Sequence, residues 1–104
     1  MTEVLDSIER WRGEGQRVAV ATVVAVEKSA PRDPGAVMTV NERGDVAGSV
    51  SGGCVESAVY EEAQDAIATG RPRLVTYGIS EADAISVGLT CGGTIHVFVE
   101  RLDW

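Results

Sequence analysis

The central feature of this sequence is one uninterrupted apolar run, Val18-Ala19-Val20-Ala21-Thr22-Val23-Val24-Ala25-Val26. Most of its residues are small or β-branched, and apolar residues do not alternate with polar ones. Such a run is typical of a strand that is buried on both faces. We therefore predict a strand over residues 17–27 and place it at the centre of a sheet.

A β-hairpin is predicted after this central strand. Residues 28–35 contain two prolines and a glycine, which exclude a regular element and predict a loop. Strands are predicted over residues 36–40 and 45–50, with a turn over residues 41–44 between them. The hairpin delivers the chain directly to a glycine-rich segment that carries a cysteine.

Helices and further strands complete the predicted fold. Apolar residues at helical spacing predict a first helix over residues 2–12 and a longer one over residues 54–69. Strands are predicted over residues 73–77 and 94–100. The expected fold class is α/β (α+β mixed), with a single mixed sheet of about five strands and two main helices packed on it.

The charge balance excludes some classes of partner. The chain has 16 acidic and 9 basic residues, which gives a formal net charge of -7. We expect no nucleic acid as a partner, because nucleic acids attract proteins with a positive field. We expect no membrane either, because anionic membranes also attract a positive field and no apolar run approaches the ~20 residues of a membrane span.

Two cysteines do not make a disulfide framework. We expect a cytoplasmic protein with reduced thiols, folded as one domain over residues 1–104.

The two cysteines each lie beside a pair of glycines. The first belongs to the segment Gly48-Ser49-Val50-Ser51-Gly52-Gly53-Cys54-Val55-Glu56, and the second to Gly88-Leu89-Thr90-Cys91-Gly92-Gly93-Thr94. The predicted helix places Cys54 at a helix N-terminus, where N–H groups lower a thiol pKa and bind anions. A small buried residue in a tight turn explains Cys54 equally well.

The remaining candidates each have a structural alternative. Glu56 either complements the helix dipole or forms a hydrogen bond with a ligand at the helix end. Arg32 suits a phosphate or carboxylate clamp, but a solvated loop arginine explains it as well. A zinc site on the two cysteines and His96 lacks further ligands, and a Cys-His hydrolase lacks a well-placed base. Hydroxyl groups in the same predicted loops are typical of turns and caps (Ser29, Ser49, Ser51, Thr90).

Three motifs in order resemble the amino-terminal domain of the XdhC/CoxI family. They are Ser29-Ala30-Pro31-Arg32 with Pro34-Gly35-Ala36, the segment 48–56, and Gly88-Leu89-Thr90-Cys91-Gly92-Gly93. The resemblance implies an accessory protein, not a turnover enzyme. Such a protein binds the molybdenum cofactor, helps it receive its terminal sulfur and passes it to a molybdenum hydroxylase of the xanthine dehydrogenase or carbon monoxide dehydrogenase type.

The resemblance also implies a site and a set of partners. No residue is assigned a catalytic role, and Cys54 is the candidate ligand of the cofactor's molybdenum. The implied partners are the hydroxylase apoenzyme, a cysteine desulfurase and a second copy of the chain. Many family members continue into a Rossmann-like domain, which this chain is expected to lack. It is expected to be either a naturally single-domain member or one whose second half is a separate polypeptide. The implied cofactor contacts are Arg32, Ser51, Gly52, Gly53, Cys54, Glu56, Cys91, Gly92 and Gly93.

Two other classes of function remain open on the residues alone. One is a thiol-dependent redox or transferase enzyme that uses Cys54 and Cys91. The other is an assembly module that binds the target dehydrogenase without any cofactor.

Overall fold

The computed structural model describes residues 2–27, 35–50, 55–78 and 94–102. Two helices and five strands follow one another along these ranges. In chain order they are α1 (Thr2–Gly13), β1 (Val18–Glu27), β2 (Val37–Asn41), β3 (Val46–Gly48), α2 (Glu56–Thr69), β4 (Arg73–Gly78) and β5 (Thr94–Arg101).

The strands form one sheet in the order β3-β2-β1-β5-β4. This confirms the α/β fold class with two helices on a single five-strand sheet, and it confirms β1 as the central strand. The sheet is antiparallel at every described pair, whereas the sequence predicted a mixed one. The reason is that α2 connects β3 to β4 across the whole sheet. These two strands lie at opposite edges and therefore never pair.

One face of the sheet forms the main core with α2. Alternate residues of β1, β2 and β5 turn their side chains to this face, as strand geometry requires. The helix contributes Val59, Ala63, Ala66 and Ile67, all buried, as its apolar pattern predicted. Ala58, next to Val59 on the same helix, is exposed. The helix side of this core is therefore built mainly from the small side chains of Val59, Ala63 and Ala66.

The other face of the sheet is only partly covered. Helix α1 contacts β1, β2 and β3, and its Val4 and Trp11 are buried outside the α2 cluster. Val24 lies in the second half of β1, where the pairing with β5 is irregular between Val23 and Ala25. Its side chain is 50% exposed. Leu74 on β4 is 62% exposed. The prediction that β1 is buried on both faces is thus wrong, because on the face opposite α2 Val18 is buried but Val20 and Thr22 are only half-buried.

The turn and helix ends adjoining the core follow from local chemistry. Asn41 makes the predicted β2–β3 turn, since its Oδ1 accepts hydrogen bonds from the backbone N–H groups of Arg43 and Asp45. Helix α2 begins at Glu56, two residues later than predicted, because Val55 has a non-helical backbone. It ends where Gly70 adopts the left-handed conformation and donates its N–H to the Ala66 carbonyl.

Candidate functional site

Most of the residues that the sequence singled out lie outside the described ranges. This applies to Arg32, Ser51, Gly52, Gly53, Cys54, Cys91, Gly92 and Gly93. Among the implied cofactor contacts the structure describes Glu56. It also describes the residues at which the sheet and α2 connect to the three motif segments.

These connecting residues all lie at one end of the sheet. β1 ends at Glu27, which pairs with Thr94 at the start of β5, and Thr94 pairs in turn with Gly78 at the end of β4. At the same end Gly35, just before β2, donates its N–H to the Val23 carbonyl at 2.7 Å. The antiparallel sheet therefore gives one common end to the segments 28–34 and 79–93.

The third segment, residues 51–54, connects at this end too. β3 runs antiparallel to β2, so its last residue, Gly48, lies beside the start of β2 and pairs with Met38. The chain then passes through the fully buried Val50 and re-enters the described structure just before α2. The N-terminus of α2 thus faces the same end, where its dipole favours negative charge.

Glu56 joins the two sides of this third segment. Its Oε2 atom accepts a hydrogen bond from the Ser49 hydroxyl at 2.7 Å and another from the Val50 N–H at 3.0 Å. The partners precede Glu56 by seven and six residues. Sequence reasoning assigned Glu56 to the helix dipole or to a ligand and did not find this pairing. A separation of seven residues across a loop gives no periodic signal from which it could have been predicted.

Gly48 fixes how the chain enters the segment. It has a φ of 83°. A Cβ atom there would collide with the Val37 carbonyl oxygen and approach Val4 Cγ2 to 2.8 Å. Only glycine tolerates this combination of positive φ and close backbone approach. The exit from β3 is therefore rigidly set by β2 and α1.

Tyr77 lies one residue before the end of β4. Its ring packs against the α2 core, and its buried hydroxyl has no hydrogen-bond partner among the described residues. Burial raises the pKa of the Tyr77 phenol above its ordinary value of 10.0, and the negative charge of Glu62 raises it further. The hydroxyl is consequently neutral and able to donate across the physiological pH range.

His96 lies on the sheet face opposite its neighbours Ile95 and Val97, which belong to the α2 core. Its Nδ1 forms a hydrogen bond with the Thr76 hydroxyl at 2.9 Å across the β4–β5 pair. Within the described ranges no three histidine, cysteine, aspartate or glutamate side chains are grouped to hold a metal ion. Both cysteines of the zinc hypothesis lie outside those ranges.

None of the helices that the structure describes is long and apolar enough to span a membrane.

Comparison with known protein families assigns the chain to one family. The sequence profile of the XdhC and CoxI family matches residues 11–78, and the chain belongs to that family. This confirms the resemblance that the three motifs indicated. The matched range runs from α1 to the end of β4 and includes the first two motif segments.

Longer relatives match most of the chain. It is 38% identical over 88 residues to the molybdenum cofactor insertion chaperone PaoD of Escherichia coli strain K12, a match that covers 85% of this chain and 27% of PaoD. It is 39% identical over 92 residues to a probable xanthine dehydrogenase subunit of Bacillus subtilis strain 168, covering 86% of this chain and 28% of that protein.

A solved structure shares the fold. The crystal structure of a xanthine dehydrogenase from Bacillus halodurans matches with a TM-score of 0.79 and 37% identity, over 94% of this chain and 30% of the other. The chain spans less than a third of the length of each of these relatives.

Proposed function

We propose that this protein binds the molybdenum cofactor and assists its insertion into a molybdenum hydroxylase of the xanthine dehydrogenase or carbon monoxide dehydrogenase type. The observation that carries the proposal is the common end of the sheet from which all three motif segments leave. The family membership and the name of the chaperone PaoD support it. The protein then acts as a carrier and not as a turnover enzyme.

The described part of this end suits an anionic, phosphate-bearing ligand. The N-terminus of α2 faces it, and a helix N-terminus favours negative charge. The N–H groups of such a terminus bind phosphate locally, even in a protein with a net charge of -7. The N-terminus of α2 is therefore compatible with the phosphate of the cofactor.

The motif residues have proposed roles at this site. Arg32 clamps the phosphate, and the backbones at Gly52, Gly53, Gly92 and Gly93 admit the ligand closely. Ser51 donates a hydrogen bond, and Glu56 belongs to the site at the start of α2. Cys54 and Cys91 supply sulfur near the metal, with Cys54 the candidate ligand, because soft sulfur suits such centres.

The proposal extends to sulfuration and to partners. The cofactor receives its terminal sulfur from a cysteine desulfurase while it is held here and then passes to the apoenzyme. Since the chain spans less than a third of its relatives' length, we propose that a second copy or a separate Rossmann-like domain completes the pocket.

The test is a titration of the purified protein with molybdenum cofactor, followed by calorimetry. We expect wild type to bind and Cys54→Ala to bind at least ~10-fold more weakly, since one ligand of the metal is lost. Arg71→Ala is the control, because Arg71 is exposed beyond the opposite end of α2. Absence of binding by wild type, or equal binding by Cys54→Ala, would contradict the proposal.

The exposed side chains of Val24 and Leu74 favour a second candidate function, an assembly module that binds the dehydrogenase without cofactor. Capture of the dehydrogenase that survives the double change Cys54→Ala and Cys91→Ala, but not Leu74→Asp, would favour this candidate. Loss of capture in the double cysteine variant would favour the cofactor carrier.

A further inference from the structure

We infer that the groove between α1 and Leu102, here called the α1 groove, docks a segment of the hydroxylase apoenzyme that carries apolar and acidic side chains. The inference rests on the proposed function, which supplies the apoenzyme as the partner, and it assigns the surface to which that partner binds. The structure describes all the residues that line the groove, which are Leu5, Ile8, Glu9, Arg12, Gly13 and Leu102.

Helix α1 has a second apolar side besides the one that packs on the sheet. Val4 and Trp11 are each 4% exposed and are buried where α1 contacts the sheet. Leu5, Ile8 and Arg12 stand at positions i, i+3 and i+7 and form a neighbouring stripe along the helix. Leu5 is 52% exposed, and Ile8 is half-buried. One stripe is sufficient to hold α1 on its own sheet, so the second can contact another molecule.

The two walls of the α1 groove are fixed before a partner arrives. One wall is α1, which the buried Trp11 anchors. The other is Leu102, whose N–H donates to the Val18 carbonyl at 2.9 Å. The groove between them has a volume of about 590 Å³. Because its walls are already ordered, a partner that inserts apolar side chains there pays little conformational entropy on the side of this protein.

Positive charge is concentrated at the end of the molecule opposite the motif segments. The C-terminus of α1 and the start of β1 lie at this end, and the antiparallel sheet brings the β2–β3 turn, the start of β4 and the end of β5 to it. All the basic side chains that the structure describes lie there: Arg10, Arg12, Arg17, Arg43, Arg71, Arg73 and Arg101. This end therefore attracts an acidic surface, although the chain has a net charge of -7.

Acidic residues in the β2–β3 turn are engaged by neutral donors of the fold. Glu42 Oε1 accepts the Arg17 backbone N–H at 2.9 Å, and Asp45 Oδ2 accepts the Asn41 side-chain amide at 2.9 Å. The exposed guanidinium groups of Arg17 and Arg43 make no ion pair within the described ranges. Their positive charge is thus not neutralised by a bonded carboxylate, and a partner's carboxylates can interact with it.

The pattern of charge favours a protein partner of another sequence. The exposed Glu9 and Glu14 interrupt the arginines, which suits separate carboxylates better than the continuous charge of a nucleic acid. A second copy of the chain in a two-fold contact would bring the same arginines face to face, and like charges repel. Docking here also leaves the motif end uncovered, so that the apoenzyme can be held while cofactor is bound at the other end.

The test is binding of the purified apoenzyme to the immobilised protein by biolayer interferometry, at low and at physiological salt. We expect Leu5→Asp to weaken binding about tenfold, because a carboxylate then replaces an apolar contact. Leu5→Ser is the milder second variant if Leu5→Asp does not fold. Val46→Asp is the matched control, since Val46 is 47% exposed but lies outside the groove.

A charge reversal tests the electrostatic part. We expect Arg12→Glu to weaken binding about tenfold at low salt and by less at physiological salt, because salt screens the attraction that is lost. Arg71→Glu changes the net charge equally outside the groove and should bind within about threefold of wild type.

Three results would overturn the inference: no binding of apoenzyme by wild type, wild-type binding by both Leu5→Asp and Arg12→Glu, or a loss confined to Leu74→Asp. Sedimentation of the protein alone provides a fourth, a dimer that Leu5→Asp dissociates, because a second copy would then occupy the groove. The cofactor titration decides the proposed function separately. Cofactor binding without apoenzyme binding removes only the docking site, whereas groove-dependent apoenzyme binding without cofactor binding removes only the carrier role.

Discussion

Gly48 occupies a backbone position that side chains cannot share. Its φ of 83° lies in the left-handed region, and the space where a Cβ would stand is taken by the Val37 carbonyl. Several glycines of this chain have a positive φ, but the occupied Cβ position at Gly48 results from the packing of the sheet. Glycine is therefore required here both for conformation and for room.

We predict that Gly48→Ala lowers the free energy of unfolding by about 2–5 kcal/mol, the sum of left-handed strain and a backbone collision. Gly15→Ala is the matched control, since Gly15 has a φ of 79° and nothing within 4 Å of its would-be Cβ. It should cost only about 1–2 kcal/mol. Urea unfolding of both variants measures the difference, and equal losses would show that the Val37 contact is relaxed in solution.

At the scale of elements, α2 depends on a residue from the sheet. The helix has no basic residue in its last turn, although its C-terminal carbonyls favour a positive charge there. Arg101 of β5 supplies that charge, donating from Nη1 to the Ile67 carbonyl at 3.1 Å. Its guanidinium also covers Gly70, where a Cβ would stand 2.6 Å from Nη2. One arginine thus joins the end of α2 to β5.

We expect Arg101→Met to reduce the free energy of unfolding by about 1–2 kcal/mol, because a charged hydrogen bond and a favourable dipole contact are lost. Arg71→Met, an exposed arginine near the same helix end, should change it by less than about 0.5 kcal/mol. Thermal or urea unfolding monitored by circular dichroism gives both values. If the two variants lose equal stability, the link from β5 to α2 is not a stabilising contact.

At the scale of the whole molecule, the strands differ in how well their backbone N–H groups are protected from water. β1 has a hydrogen-bonded neighbour on each side, whereas within the part of the chain that the structure describes β4 pairs with β5 alone and has no strand on its outer side. The exposed Leu74 lies on this edge strand. Edge strands of this kind pair readily with another chain.

We predict that β1 amides exchange only through global unfolding and that the outward amides of β4 exchange orders of magnitude faster. Native-state hydrogen exchange at several denaturant concentrations tests this, with β5 as the control because it is bonded on both sides. Equal protection of β4 and β1 would mean that the edge is covered in solution. Sedimentation would then decide whether a second copy of the chain covers it.

Much of the fold could be predicted because local patterns carry it. The run in β1, the helical spacing in α2 and the turn chemistry at Asn41 each act within a few neighbouring residues. Two of the misjudged details depend on distant partners. Val24 is exposed because α1 does not reach it, and the sheet is antiparallel because α2 carries the chain to the far edge.

The candidate site was likewise predictable from the sequence only in part. The motifs indicated the family, because residue types such as glycine, cysteine and arginine and their spacing can be read directly from the sequence. The family profile then confirmed the assignment. The specific roles of Cys54, Cys91 and Arg32 stay predictions, since these residues lie outside the described ranges. The link between Glu56 and Ser49 had no sequence signal.

The elements, their order and the family follow from the sequence alone, because hydrophobic period, turn residues and motif spacing are local properties of the chain. Three features required the folded molecule: the strand order β3-β2-β1-β5-β4, the common end at which the motif segments connect, and the hydrogen bonds that Glu56 accepts from Ser49 and Val50. These features depend on contacts made across the folded chain, and no hydrophobic period, turn residue or motif spacing encodes such contacts.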